Sequence, residues 1–198
     1  ETGPQYLVLT ADDMDRPGVE GAKWCCSQRL RAKAAQEAIW AGLANGTFQV
    51  YSSDHAPYKF DKTAKIPRGD QTTFKEMANG VPGIEMRLPI LFSEGVLKGR
   101  LSLNQFVALT ATNHARMYGL YPRKGTIAIG SDADIAIWNP EIEKRIDYSM
   151  MHDAVGYTPY EGHVYTGWPE VVTSRGRIVV EGDKLNAARG SGKFIARG

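Results

Sequence analysis

Cysteine is scarce in this 198-residue chain, and the two present, Cys25 and Cys26, are neighbours. Adjacent cysteines do not reach the Cα separation that a disulfide needs. A disulfide framework is excluded, and a reducing compartment, the cytoplasm, is the expected setting. No apolar run approaches the roughly 20 residues that span a bilayer. No secretory leader is visible in the chain as given, so no membrane partner is expected. Charge of one sign is also lacking. Lys and Arg number 24 against 22 Asp and Glu, a formal net charge of +2. The signs are interspersed, which excludes a basic nucleic-acid face and an acidic tail. There is no His-x-His pair, no HExxH and no Cys-x-x-Cys. Ser27 lacks a Gly-x-Ser-x-Gly context and is not read as a nucleophile. Internal repeats and low-complexity tracts are absent as well.

What remains is an ordinary globular composition, 42% hydrophobic and 23% charged, enough to bury a core. The chain begins at Glu1, and Gln5 to Thr10 reads as a strand that starts almost at once. That pattern is expected of a chain cut from inside a larger protein. Residues 11–31 are rich in turn formers. Ala35, Ala38, Ile39 and Leu43 recur at helical spacing over 32–44, and Asn45-Gly46 supplies a stop. A short strand, Phe48 to Tyr51, then ends at Ser52-Ser53-Asp54-His55. The helix-to-strand rhythm is that of a parallel α/β architecture.

Further helices are expected over 71–77, over 84–97 and over 103–118. Pro89 implies a kink or a later start in the second. The third has Ser102 as its N-cap, with Leu103, Phe106, Val107, Thr110 and His114 on its buried stripe. After Gly119 the texture changes to short apolar runs between Gly, Asp and Pro. Strands are expected at 127–129, 135–138, 170–173 and 177–180. The boundary between an α/β region and a β region falls near 120–124.

Asp54 sits where a strand is expected to end, and functional groups of parallel α/β folds collect there. A carboxylate in that place can ligate a cation or act as a general base. The same Ser-Asp-His run is also good turn chemistry. His55 would orient a neighbour or pack in the loop. His114 reads as a core histidine, and His152 and His163 as solvated loop residues. The Asn79–Gly83 stretch could present backbone groups to a ligand, or simply connect helices.

Several ordered motifs carry a resemblance. Glu1-Thr2-Gly3-Pro4-Gln5-Tyr6-Leu7, Ser52-Ser53-Asp54-His55-Ala56-Pro57-Tyr58 and Asn79-Gly80-Val81-Pro82-Gly83-Ile84-Glu85 stand in the first part of the chain. Gly130-Ser131-Asp132-Ala133-Asp134 and Gly167-Trp168-Pro169-Glu170 follow. Together they resemble the dihydropyrimidinase/hydantoinase family of cyclic-amide hydrolases. The resemblance implies the C-terminal part of a (β/α)₈ TIM-type barrel over 1–122, then part of a β-sandwich with an oligomerisation tail over 123–198.

It also implies a parent enzyme that uses two divalent metals, usually zinc, to open a cyclic diamide. Asp54 matches the last metal ligand and proton carrier. Ser27 and Asn79 match residues whose main chains bind the substrate's amide edge. The other metal ligands would lie before Glu1, so the chain alone is expected to be inactive and to lack zinc. Where the family usually has Ser-Pro-Pro-Leu-Arg, this sequence has Ser27-Gln28-Arg29-Leu30-Arg31. The family commonly forms homotetramers, with residues 157–198 as candidates for that contact. The alternative implied is a non-catalytic scaffold relative that has lost its metal ligands.

Overall fold

The computed structural model describes residues 1–197. The first element differs from the expected strand. Pro4, with φ −60° and ψ −37°, opens a short helix α1, Gln5–Val8. Its amides bond back to Gly3, Pro4 and Gln5 carbonyls at 3.0–3.3 Å. Proline presets φ for a first helical turn and has no N–H to leave unbonded. That local bias overrides the apolar run that suggested a strand.

Helix α2, Lys33–Ala44, lies where the periodicity placed it and stops at Asn45 and Gly46. Its buried stripe is Gln36, Trp40 and Leu43, while Ala38 faces solvent. The Gln36 amide donates to the Leu9 carbonyl at 2.8 Å, tying α2 to the end of α1. The expected strand at 48–51 is reduced to a single parallel bridge, Thr2↔Tyr51. Thr2 N donates to Val50 O at 3.3 Å and Ser52 N to Thr2 O at 2.9 Å. Extended backbone becomes a strand only where a neighbour continues the ladder, and here the partner turns away at Pro4. A second parallel bridge joins His55 and Val81.

The expected helix at 71–77 is replaced by one 3₁₀ turn, Gly69–Gln71, and loose turns. Helix α3, Arg87–Ile90, starts later than residue 84, with Pro89 inside its first turn. It continues as a π-helical segment, Leu91–Leu97. Ser102 caps helix α4, Leu103–Val107, in a reciprocal box with Gln105 at 2.8 and 3.1 Å. The helix runs on through a π segment, Ala108–Thr112, into α5, Asn113–Met117. Its buried face is Phe106, Leu109 and Ala115, whereas Leu103 and Val107 are exposed. Leu103 and Val107 precede the π segment and line an open groove with Ile127 and Trp138, so no partner covers that part of the stripe.

The β region is a four-stranded antiparallel sheet in the order β1 (Ala136–Arg145), β2 (Val164–Ser174), β3 (Arg177–Glu181), β4 (Lys184–Leu185). Irregular register around Pro140 accommodates a residue that cannot donate to the ladder. Arg175-Gly176, both with positive φ, close the β2–β3 hairpin. No strand forms at 127–129, where Ile127 and Ile129 stand exposed without a partner. The sheet packs on the helical layer through Trp138, which stacks on Phe92 at 4.7 Å and meets Phe106 edge-on. A second core cluster joins Leu9, Trp24, Leu30, Ile90, Ile146 and Tyr160. The chain is thus α/β with an antiparallel sheet, and no helix among the described residues is long and apolar enough to cross a membrane.

Candidate functional site

Tyr51 is fully buried, and its carbonyl is held by the Arg87 guanidinium at 2.8 Å. The chain leaves this anchor outward through Ser52 and Ser53, and Asp54 then adopts φ +48°. Left-handed backbone is uncommon for a residue with a Cβ, though Asp and Asn tolerate it best. The turn leaves the Asp54 carboxylate exposed at the mouth of a cleft of about 460 Å³. Tyr6, Ser27, Gln28 and Ser52 line the same cleft.

Two residues hold the carboxylate. Gln5 Nε2 donates to Asp54 Oδ2 at 3.0 Å, and Tyr6 Oη approaches the same oxygen at 3.4 Å. Gln5 is fully buried, and its Oε1 has no partner among the described residues. Burial, then the nearby Cys26 thiol, pushes the Tyr6 hydroxyl up to about 12, so it stays a donor. Sequence reasoning missed both residues. A strand at 5–10 would have pointed them to opposite faces, whereas the α1 turn brings both onto Asp54. No short-range pattern signals a contact across 49 positions.

His55 does not point into the cleft chemistry. Its Nδ1 accepts from the amides of Gly83 and Ile84 at 3.1 and 3.3 Å, which requires a neutral ring with its proton on Nε2. The ring therefore fastens the Asn79–Gly83 loop beside Asp54. Ser27 is exposed on the cleft wall. Asn79 is not among the cleft-lining residues. It is tied to the Ser27 segment instead: Cys25 Sγ lies 3.2 Å from Asn79 Oδ1, and Gly80 N donates to Cys25 O at 3.0 Å. Both cysteines are free, and burial pushes the Cys26 thiol up to about 11.

Lys65, which the sequence did not single out, is completely buried between these segments. Its ammonium donates to Cys25 O at 2.8 Å and to Gly80 O. Burial lowers its pKa from 10.5 to about 8, against the smaller opposing pull of the Cys25 and Cys26 thiols. Below pH 8 both folded and unfolded chains carry the charge, and the folded one bears its full desolvation cost. Between 8 and 10.5 the folded chain sheds the proton and the unfolded chain keeps it, so this group's contribution to stability rises with pH. The unfolding free energy of the wild type relative to Lys65→Met is expected to rise by on the order of 3 kcal/mol from pH 7.5 to 10.5. Urea titrations at each pH measure it, and a flat difference would show that Lys65 is not charged and buried below pH 8.

The remaining histidines separate. His114 is half-buried and its Nδ1 has no partner among the described residues, so it is not a satisfied core residue. His163 is half-buried: its Nδ1 lies 2.9 Å from Tyr165 Oη, and burial lowers its pKa. His152 is exposed and pairs with Glu85 at 2.8 Å. Among the described residues no three His, Cys, Asp or Glu side chains gather as a metal-ligand group.

A profile of the amidohydrolase family matches residues 4–179. The chain belongs to the amidohydrolase family. This amidohydrolase chain is 44% identical over 197 residues to a D-hydantoinase of Rhizobium radiobacter, covering all of this chain and 42% of the relative. It is 45% identical to a D-hydantoinase of Geobacillus stearothermophilus, covering 41% of that protein. A crystal structure of a D-hydantoinase superposes with a TM-score of 0.93 at 43% identity, over 98% of this chain and 42% of the other. That of dihydropyrimidinase from Brevibacillus agri gives 0.92 at 43% identity, over 98% of this chain and 41% of the other. The amidohydrolase chain thus spans about two-fifths of the length of these relatives.

Proposed function

We propose that this chain forms one wall of the active site of a metal-dependent hydrolase that opens dihydropyrimidines or 5-substituted hydantoins to N-carbamoyl amino acids. The placement of Asp54 carries the reading: a carboxylate held by a left-handed turn and a buried amide, on a cleft shared with Ser27. Backbone of this uncommon kind concentrates at functional sites. The relatives' names support the substrate class.

Residues 1–122 are read as the C-terminal portion of a (β/α)₈ barrel, supported by the two parallel bridges beside the site. Residues 123–198 are read as part of a β-sandwich with an oligomerisation tail, supported by the antiparallel sheet. A homotetramer in the cytoplasm is the assembly and setting proposed.

The residues present do not fit a zinc centre by themselves. Zinc takes about four ligands, and this chain offers Asp54 with no ligand cluster around it among the described residues. The work assigned to this chain is binding and proton handling. The Ser27 main chain and the Asn79 carbonyl hold the amide edge of the ring. Asp54 takes the proton released as water oxygen adds to the ring carbonyl carbon, and passes it to the ring nitrogen as the C–N bond breaks.

The chain alone is expected to release no N-carbamoyl product from hydantoin. Co-expression with the part of the Geobacillus stearothermophilus D-hydantoinase that precedes its matched region is expected to restore turnover, read by chromatography of the product. Silence from that assembly, where the relative's own two parts expressed in the same way are active, would refute the hydrolase reading. Turnover by the chain alone would refute the need for ligands outside it.

A further inference from the structure

Lys65 is an expensive residue to bury. Removing an ammonium from water costs several kcal/mol unless it is fully hydrogen-bonded and paired. No carboxylate pairs with Lys65 among the described residues, and its charged neighbours are limited to what the weakly acidic Cys25 and Cys26 thiols could become. Its hydrogen-bond acceptors are two main-chain carbonyls, Cys25 O and Gly80 O. Two carbonyl dipoles facing one point repel each other unless a donor stands between them. The donor here joins two loops that are 55 residues apart in sequence.

The surroundings deliver the side chain to that point. Lys65 N donates to Lys59 O at 3.0 Å and Ile66 N to Asp61 O at 3.0 Å, closing the 59–66 loop on itself. Phe60 anchors the loop, bonding to Val155 O at 3.1 Å and packing edge-on against Tyr157. On the far side, Gly80 N also donates to Cys25 O at 3.0 Å. The carbonyls that converge on Lys65 belong to residues two before Ser27 and one after Asn79.

We infer that Lys65 is a positioning residue that fixes the spacing between the Ser27 and Asn79 backbone segments, and so the width of the slot that receives the amide edge of the substrate. The inference rests on the proposed hydrolase reading for its link to substrate, and on the hydrogen bonds alone for the clamp. A neutral amine still carries two N–H donors for two carbonyls, so the clamp survives loss of the charge. Methionine at 65 matches the length and removes both donors. Arginine at 65 keeps donors on a longer stem.

The test reads amide hydrogen exchange on the full chain. The Gly80 amide reports the clamp, and the Ile146 amide, bonded to His163 O at 2.8 Å, reports a distant part of the fold. Lys65→Met is expected to speed exchange at Gly80 at least tenfold with Ile146 unchanged, and Lys65→Arg to return Gly80 to within threefold of the wild type. Unchanged exchange at Gly80, or equal acceleration at both amides, would overturn the clamp.

In the assembled enzyme Lys65→Met is expected to raise KM about tenfold with kcat within twofold. A fall in kcat at unchanged KM would overturn the link to substrate. If the wild-type assembly is itself silent, the hydrolase reading fails and the link to substrate with it, while the exchange result still decides the clamp.

Discussion

Replacing Asp54 by Asn is expected to lower kcat/KM of the assembled enzyme about 10³-fold, which is about 4 kcal/mol of transition-state stabilisation. The substitution removes the charge and the proton-carrying capacity and little else. Asparagine tolerates the left-handed turn at φ +48° as well as aspartate does. Its side-chain oxygen can still accept the 3.0 Å hydrogen bond from Gln5. The unfolding free energy of the chain is therefore expected to stay within about 0.5 kcal/mol of the wild type. Steady-state kinetics and a urea titration on the same variant separate the two effects. Activity within tenfold of the wild type would remove Asp54 from the chemistry, and a large stability loss would make it a turn residue instead.

Gly80→Ala carries the largest expected stability effect. Gly80 has φ +150°, which L side chains rarely adopt. A Cβ there would stand 2.4 Å from Ala56 Cβ and 2.8 Å from Ala56 O. The second of these is backbone, fixed by the bond from Ala56 N to Val81 O at 3.1 Å, so it cannot swing aside. Strain and overpacking together are expected to cost about 3 kcal/mol or more. Gly46 is the matched control. It has φ +83° but open space around it, so Gly46→Ala is expected to cost about 1 kcal/mol. Equal urea midpoints for the two variants would show that the Asn79–Gly83 loop does not press on Ala56.

Much of the helical architecture was legible because its causes are local. Helix α2 and its Asn45-Gly46 stop, the Ser102 box and the late start at Pro89 each follow from propensity, capping or a missing N–H. Three of the four later strands were readable for the same reason, as apolar runs between turn formers. The failures are equally physical. Residues 48–51 and 127–129 have strand-like composition, but a strand exists only when another segment satisfies its ladder. The stripe drawn along 103–118 failed at Leu103 and Val107, which line an open groove, because periodicity shows which residues share a face and not whether a partner covers it.

The sequence by itself picked out the candidate residues, Asp54, Ser27 and Asn79, through motifs that resemble a hydrolase family. Only the tertiary structure decided what holds those groups. Gln5 and Tyr6 reach Asp54 across nearly 50 positions, His55 fastens Gly83, and Lys65 joins Cys25 to Gly80. Motifs are written in adjacent residues because reactive groups and turns are local. The partners of a buried amide, an imidazole and an ammonium are chosen by which segments the fold brings within about 3 Å, and sequence separation does not constrain that distance.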